Sequence, residues 1–512
     1  MVKRASGALL LSINLDHDSA RPVATQLYAG LRDLMLSGAI AAGYRLPATR
    51  TLAKDLGVSR TTVIDAFDRL IAEGLVESRV GSGTFVSQVV NSEQIQQLPV
   101  TARAYPPRRP KVAKAMAWAI NRFGDRLPHE PRAFVTALPA FDFFPMAQWA
   151  RLAAKHWRGS RDDVMGYGMP SGQPVLREAI AAHLRANRGI ACEMQQIFIV
   201  GGAQQAFHLI GSVLLDPGDK VWFENPGAIG ARNSLLTCGA DLVPVPVDHE
   251  GLRVEEGLQR ARDFRLAFVT PSHQQPLGHI MSLERRFALL NSAEQAGAWI
   301  VEDDYDGEFF FGRRPLPTLK SIDRTGLVIY VGTFSKSLFP ALRLGFMLVP
   351  PSLVETFERV AAAFVQGVPT SVQGVVAEFL EEGHFATHIR RMRRVYEERH
   401  AALQEAAQRE LGGLLDVAAG NSGLHTVGHL PRHASEIAIA RAAAARGIVV
   451  SPIARFSIAP IDAKGLVLGF GGIAPPAIRS GVTLLREVLA EHLKRRRTTA
   501  ARGDAPVRLA PE

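Results

Sequence analysis

Hydrophobic positions change their period along the chain. In PVATQLYAGLRDLMLSG, residues 22–38, Leu27, Leu31, Leu34 and Met35 fall on one helical face. In LPATRTLAKDLGVSRTTVIDAFDRLIAEG the spacing predicts a helix over 49–56 that stops at Gly57. A second follows over 60–73, with Ser59 able to cap it. Helices joined by so short a glycine turn form a helix-turn-helix candidate, although small helical domains also use this arrangement for packing. Two short runs, LVESR and TFV, then flank a turn at 80–83 and predict a β-hairpin wing.

No period is sustained over 89–130, where VNSEQIQQLPVTARAYPPRRPKVAK clusters prolines and basic residues. This stretch reads as a linker, with a helix near 112–123. From 131 to 493, β-rich runs alternate with helical patterns: QIFIV (196–200), KVWFE (220–224), RLAFVT (265–270), AWIVED (298–303) and LVIYV (327–331). That alternation predicts a mainly parallel sheet covered by helices. Past Thr370 a long helix followed by short strands predicts a smaller C-terminal α/β lobe. The expected organisation is a DNA-reading domain over 1–88, a linker over 89–130, an α/β domain over 131–493, and a disordered basic tail over 494–512.

Composition narrows the setting. A chain of 512 residues exceeds one hydrophobic core, and no apolar run approaches the roughly 20 residues of a membrane span. The N-terminus MVKRASGALLLSINLDHD meets Asp16 and Asp18 without a clear cleavage site, so no signal peptide is read. Cys192 and Cys238 give neither a disulfide framework nor a zinc pattern; a reducing cytosol fits. The net charge of +10 is uneven: +2 in residues 1–90, +4 in 91–130, +4 in 494–512 and zero between 131 and 493. Such basic segments strengthen salt-dependent binding to phosphate backbones without specifying sequence; solvated flexible segments explain them equally well.

Candidate chemistry centres on GTFSKSLFPALR (332–343), where a lysine stands between two serines at the end of an apolar run. A lysine that bonds pyridoxal 5′-phosphate needs an acid for the pyridine nitrogen, donors for the phosphate and usually an aromatic face over the ring. Asp303 leaves a predicted buried strand in WIVEDDYDGEF, with Tyr305 placed to donate to the ring's phenolate oxygen. The three acids at 302–304 read alternatively as a divalent-metal site. The run VGGAQQAF places Gly202, Ala203 and Gln204 at a helix start, where free N–H groups attract an anion; tight packing explains the glycines equally well. Thr333, Ser335 and Arg343 are further phosphate donors.

Two resemblances join these parts. LPATRTLAKDLGVSRTTV, EGLVESR and GSGTFV resemble the GntR-type winged helix-turn-helix. The resemblance implies that Ser59, Arg60, Thr61 and Thr62 approach the DNA major groove, Arg50 touches backbone or base, and Gly81 and Gly83 shape the wing beside the minor groove. Ile64 stands where some relatives carry a base-reading arginine, so fewer direct contacts are expected. YGMPSGQPVLREAI, LLDPGDKVWFENPG, TPSHQQPLG, VEDDYDGEF and GTFSKSLFPALRLGF resemble fold-type I pyridoxal-phosphate enzymes of the aspartate-aminotransferase superfamily. Together with the winged domain they are similar to the MocR/GabR family of transcriptional regulators.

That resemblance implies Lys336 as the internal-aldimine lysine, Asp303 on the pyridinium nitrogen and Tyr305 on O3′. It implies a phosphate held by Gly202, Ala203, Gln204, Ser335 and Arg343, with Tyr167 reaching the neighbouring subunit's phosphate in a homodimer. Arg455, then Arg232, are candidates for an effector carboxylate; Phe141, Phe143 and Phe144 line the pocket or pack the core. Two departures stand out. Ala228 occupies the place of the usual stacking aromatic, for which Phe207 is a candidate substitute. In SHQQPLG, Gln275 can bond O3′ while Leu277 adds bulk. The expected function is a regulator that binds operator DNA and senses a small amine or amino acid. The alternatives are an active aminotransferase carrying a DNA-binding appendage, and a receptor that has lost its cofactor.

Overall fold

The computed structural model describes residues 13–88, 111–126, 128, 130–159, 161–311, 315–420 and 422–503. The chain divides into two units, 1–110 and 111–512.

In the first unit the helices Val23–Leu36, Thr49–Leu56 and Arg60–Ala72 pack on a two-stranded hairpin, β1 (Val76–Arg79) and β2 (Gly83–Val86). Leu27, Leu31, Met35, Leu52, Val63, Phe67 and Leu70 form its core, as the helical spacing requires. Gly57 ends the second helix at φ 68, a conformation glycine adopts freely, and the Ser59 side chain accepts from Thr62 N to start the third.

The second unit is built on an eight-stranded sheet. Its strands are β3 (Ile197–Val200), β4 (Lys220–Asn225), β5 (Asp241–Asp248), β6 (Gly251–Leu252), β7 (Leu266–Val269), β8 (Trp299–Asp303), β9 (Val328–Thr333) and β10 (Gly345–Leu348). They lie in the order β3-β10-β9-β8-β7-β4-β5-β6. β5, β4, β7, β8 and β9 are mutually parallel; β10 runs antiparallel between β3 and β9, and β6 antiparallel on β5. β3, β7 and β10 are buried at every position, and β3 and β7 accordingly read as continuous apolar runs rather than alternating ones. Successive residues of β4 serve opposite faces: Trp222 stacks on Phe264 at 3.8 Å in one cluster, and Phe223 on Phe268 at 5.4 Å in the other.

A four-stranded antiparallel sheet forms the smaller lobe: β11 (Asp416–Val417), β12 (His425–His429), β13 (Ser451–Pro452) and β14 (Gly465–Gly469), in the order β11-β12-β14-β13. The long helix His384–Glu410 contributes Leu403, Ala406 and Ala407 to the core shared with Leu485, Val488 and Leu489 of the last helix.

Two expected boundaries move. Residues 111–126, read as linker, belong to the second unit: the helix Lys114–Ile120 packs on the helix Ile229–Thr237, and Gly124 exchanges two 2.9 Å hydrogen bonds with the Asn233 side chain. The last helix, Pro475–Gly503, runs past 493 into the expected tail. The rest of the linker, 89–110, and the tail from 504 lie outside the described residues. No helix among the described residues is long and apolar enough to cross a membrane.

Candidate functional site

Parallel strands deliver their ends to one edge of the sheet, and several of the residues singled out in the sequence gather there. Asp303 closes β8 and Thr333 closes β9. Gly201-Gly202 follows β3 and begins the helix Ala203–Leu214. Gly202 has φ 102, and a Cβ there would meet the Arg343 guanidinium at 3.4 Å. Arg343 donates from Nη2 to Gly201 O at 2.9 Å. A bare helix N-terminus beneath an arginine is a cradle suited to a phosphate. Ala203 is half-buried and Gln204 exposed at this helix start. Thr333 Oγ1 accepts from Ser335 N at 3.2 Å, so this threonine caps the short turn that carries Lys336.

Lys336 Nζ donates to Ala137 O at 2.9 Å; Ala137 itself sits at φ 71, a strained conformation for a residue with a side chain. Burial pushes the Lys336 amine down to about 8, against the pull of Asp306 and Asp303. Asp303 is buried and its Oδ1 has no partner. Burial pushes its carboxyl well above the usual range, reinforced by Asp304, Asp306 and Glu224 and opposed by Lys336. An unpaired buried carboxyl oxygen is costly unless something else satisfies it, and a ring nitrogen is such a partner. A lowered amine, an orphaned acid and an anion cradle at one sheet edge fit pyridoxal phosphate.

The neighbouring acids turn elsewhere. Glu302 accepts from Leu319 N and Lys320 N at 2.9 and 2.8 Å, while Asp304 pairs with Arg188 and accepts from Tyr330 OH at 2.5 Å. The acids at 302–304 therefore serve separate partners instead of converging on one point, contrary to the metal alternative. Gln275, Tyr305, Asp306, His425 and Phe456 line one small cavity with Lys336. The Tyr305 hydroxyl lies 3.0 Å from His273 Nδ1, which is also 2.8 Å from Asp306 Oδ2.

Other expected residues sit elsewhere. Phe207 is packed in the core, edge-on to Phe268 at 5.1 Å, so it is no stacking substitute at Ala228. Leu277 fills the apolar junction of Ile229, Val427, Ile453 and Phe456. Phe144 packs edge-on to Trp149, Phe339 and His388, and Phe143 lies under Arg391 and Arg399; both are half-buried against the core, while Phe141 is exposed. Tyr167 is 96% exposed and touches no part of the lysine pocket. Arg232 and Arg455 line a different cavity of about 510 Å³ with Trp118, Arg122 and Asp125. There Arg455 donates to Arg126 O at 2.6 Å and Arg232 to Ser457 O at 2.9 Å, and both Nε atoms lack partners.

The sequence reading gave no role to His273, Asp306, His425 or Ala137. Only the runs SHQ and DYDGEF, which carry the family resemblance, touched the first two of them.

On the first unit, Arg50, Ser59, Arg60 and Thr61 are exposed at the helix-turn-helix, and the wing glycines Gly81 and Gly83 take φ 76 and 109. Thr62 Oγ1 lies 2.8 Å from Ser59 Oγ, so these two hydroxyls serve the cap. Arg60 Nε reaches Thr49 Oγ1 at 3.5 Å. Arg45, which the sequence reading missed, lies against Gly83 at the wing and bridges to Phe85.

Comparison with known proteins agrees with both halves. Residues 23–86 match the bacterial regulatory proteins, gntR family, and residues 139–466 match aminotransferase class I and II. The chain is 42% identical over 480 residues to the probable rhizopine catabolism regulatory protein MocR of Rhizobium meliloti, covering 92% of this chain and 94% of that one. It is 32% identical to the HTH-type transcriptional regulator TauR of Rhodobacter capsulatus, covering 89% and 94%. Among solved structures it is similar to LysN, the α-aminoadipate aminotransferase of Thermus thermophilus complexed with N-(5′-phosphopyridoxyl)-L-leucine. The TM-score is 0.66 at 28% identity, covering 75% of this chain and 96% of that one. A GntR-type reader fused to a fold-type I aminotransferase-like domain places this chain in the MocR/GabR-type family of DNA-binding transcriptional regulators.

Proposed function

We propose that this regulator binds pyridoxal phosphate through Lys336 and senses a small amine or amino acid that competes for the bound aldehyde. The observation that carries the reading is Asp303: a buried acid with an orphaned oxygen, held at the sheet edge that also presents Lys336 and the Arg343 cradle. When bound, the cofactor supplies an aldehyde able to exchange one amine for another. The chain would do the rest. Asp303 would take the ring nitrogen, and Tyr305 and Gln275 the phenolic side. Gly202, Ala203, Gln204, Thr333, Ser335 and Arg343 would hold the phosphate. The lowered basicity of Lys336 keeps a useful share of neutral amine near pH 7. Tyr167, exposed here, would complete the site from a second subunit, making the working species a homodimer. Arg455 or Arg232 would meet a ligand carboxylate. A ligand that binds one arrangement of the lobes better than another shifts their population and with it the DNA-binding state. Ala228, with no aromatic over the ring, argues for a receptor rather than an efficient aminotransferase.

The test is absorption spectroscopy of the protein loaded with pyridoxal phosphate and freed of excess, beside Lys336→Ala. A visible band that borohydride fixes onto the Lys336 peptide, absent from the variant, is expected. Amines and amino acids are then screened for a change in that band together with a change in operator affinity. No band sinks the cofactor reading. Steady turnover with an amino donor and a 2-oxo acid would favour the aminotransferase instead.

A further inference from the structure

His273 is enclosed on every side. Cβ atoms at Gly278 and Gly423, which take φ 76 and 78, would fall 3.1 Å from its Nε2 and 2.2 Å from its Cε1. Its ring is 3% exposed, and the His425 ring from β12 packs on it at 4.9 Å between centroids. His425 Nε2 faces Pro276 O at 3.2 Å; a carbonyl only accepts, so that nitrogen carries the proton. His273 Nδ1, however, has two neighbours, Asp306 Oδ2 at 2.8 Å and the Tyr305 hydroxyl at 3.0 Å. One ring nitrogen holds at most one proton, so it cannot donate to Asp306 and accept from Tyr305 together.

We propose that His273 is a positioning residue: its Nδ1 proton is donated in a hydrogen bond to the Asp306 carboxylate, which holds that charge facing Lys336 and leaves the Tyr305 hydroxyl free for the pocket. Asp306 is the largest charge attracting Lys336, ahead of Asp303, so that charge is felt at the lysine amine. His425 ties the device to the small lobe: a shift of β12 moves the ring that packs on His273. Other charged groups facing the cluster are Asp303, Asp304 and Glu224 at the strand ends and His279 in the loop, and they are common to every variant below.

The role toward a cofactor rests on the reading above, but the test does not need it. In cofactor-free, full-length protein, the pH dependence of Lys336 acylation by an amine-reactive ester is read by peptide mass. Its midpoint is compared among wild type, Asp306→Asn, His273→Gln and Glu308→Gln. Glu308 lies in the same loop but bonds to His183, and so serves as the control. Losing the Asp306 charge is expected to lower the midpoint by about one pH unit. His273→Gln is expected to lower it too, because a buried carboxyl deprived of its partner takes up a proton. Glu308→Gln should leave it unchanged. The pH-dependent absorption of pyridoxal-phosphate-loaded protein should move in the same order; a missing band with the acylation shift intact would sink the cofactor reading alone. An unmoved midpoint in Asp306→Asn or in His273→Gln overturns the proposal. So does one equivalent of a bound divalent metal by elemental analysis, which would make these side chains ligands.

Discussion

At the DNA-reading end, Arg50 on the helix Thr49–Leu56 and Arg60 and Thr61 on the helix Arg60–Ala72 stand in solvent. Around Lys336 the working groups are enclosed, and their properties come from burial: an amine brought down to about 8, an acid pushed well up, and a tyrosine hydroxyl 3.0 Å from a buried histidine nitrogen. The first kind of site acts through what it exposes, and its energetics are screened by salt. The second acts through what it excludes, and small changes in its walls change its chemistry. One chain therefore carries a tolerant surface and an intolerant pocket.

That contrast can be broken or sharpened in order of effect. Uptake of pyridoxal phosphate should quicken about tenfold per pH unit between about pH 6 and 8 and level off above, because the neutral form of Lys336 becomes dominant above its lowered value of about 8. Stopped-flow absorbance of cofactor-free protein checks this; a flat profile would mean that the amine is not the titrating group. Arg343→Ala should weaken cofactor affinity by about 2 kcal/mol, roughly 30-fold, by removing a charge-assisted donor over Gly201-Gly202, with operator affinity of the cofactor-free protein unchanged. Equilibrium dialysis and a gel shift separate the two readouts. Arg60→Ala should do the reverse, costing about tenfold in operator affinity and nothing in the cofactor band. The smallest effect is expected from Ser59→Ala. Loss of the cap onto Thr62 N should cost about 1 kcal/mol in the denaturant unfolding of the winged unit.

The same contrast explains what the sequence could tell. The winged unit is assembled from neighbours in the chain, so periodicity, a capping serine and a turn glycine located its elements to within a residue or two. The strands β3, β4, β7, β8 and β9 were legible as buried apolar runs. β5 was not, because DLVPVPVD carries prolines that argue against a strand; it lies near the sheet edge, with only the two-residue β6 outside it, where proline is tolerated. β10, although as buried as β3 and β7, escaped notice because GFML opens on a glycine, a residue depleted in strands. The cluster around His273 draws His273 and Asp306 from two distant loops and His425 from β12, so no spacing signals it. Residues 111–126 looked like linker by composition, yet Gly124 lies so close to Arg232 that a side chain there would collide with the guanidinium.

The antiparallel insertion of β10 has a consequence for how this protein can change over generations. Residues 334–344 alone join β9 to β10, and within that one loop lie both Lys336 and Arg343. β10 is registered on both sides, with Gly345 opposite Thr333 on β9 and opposite Val200 on β3, so the loop has no slack at either end. An inserted or deleted residue would slide the amine relative to the guanidinium, and neither strand could absorb the change. Besides its lysine and arginine, length is what this loop must inherit unchanged; other positions can drift there, but insertions and deletions cannot.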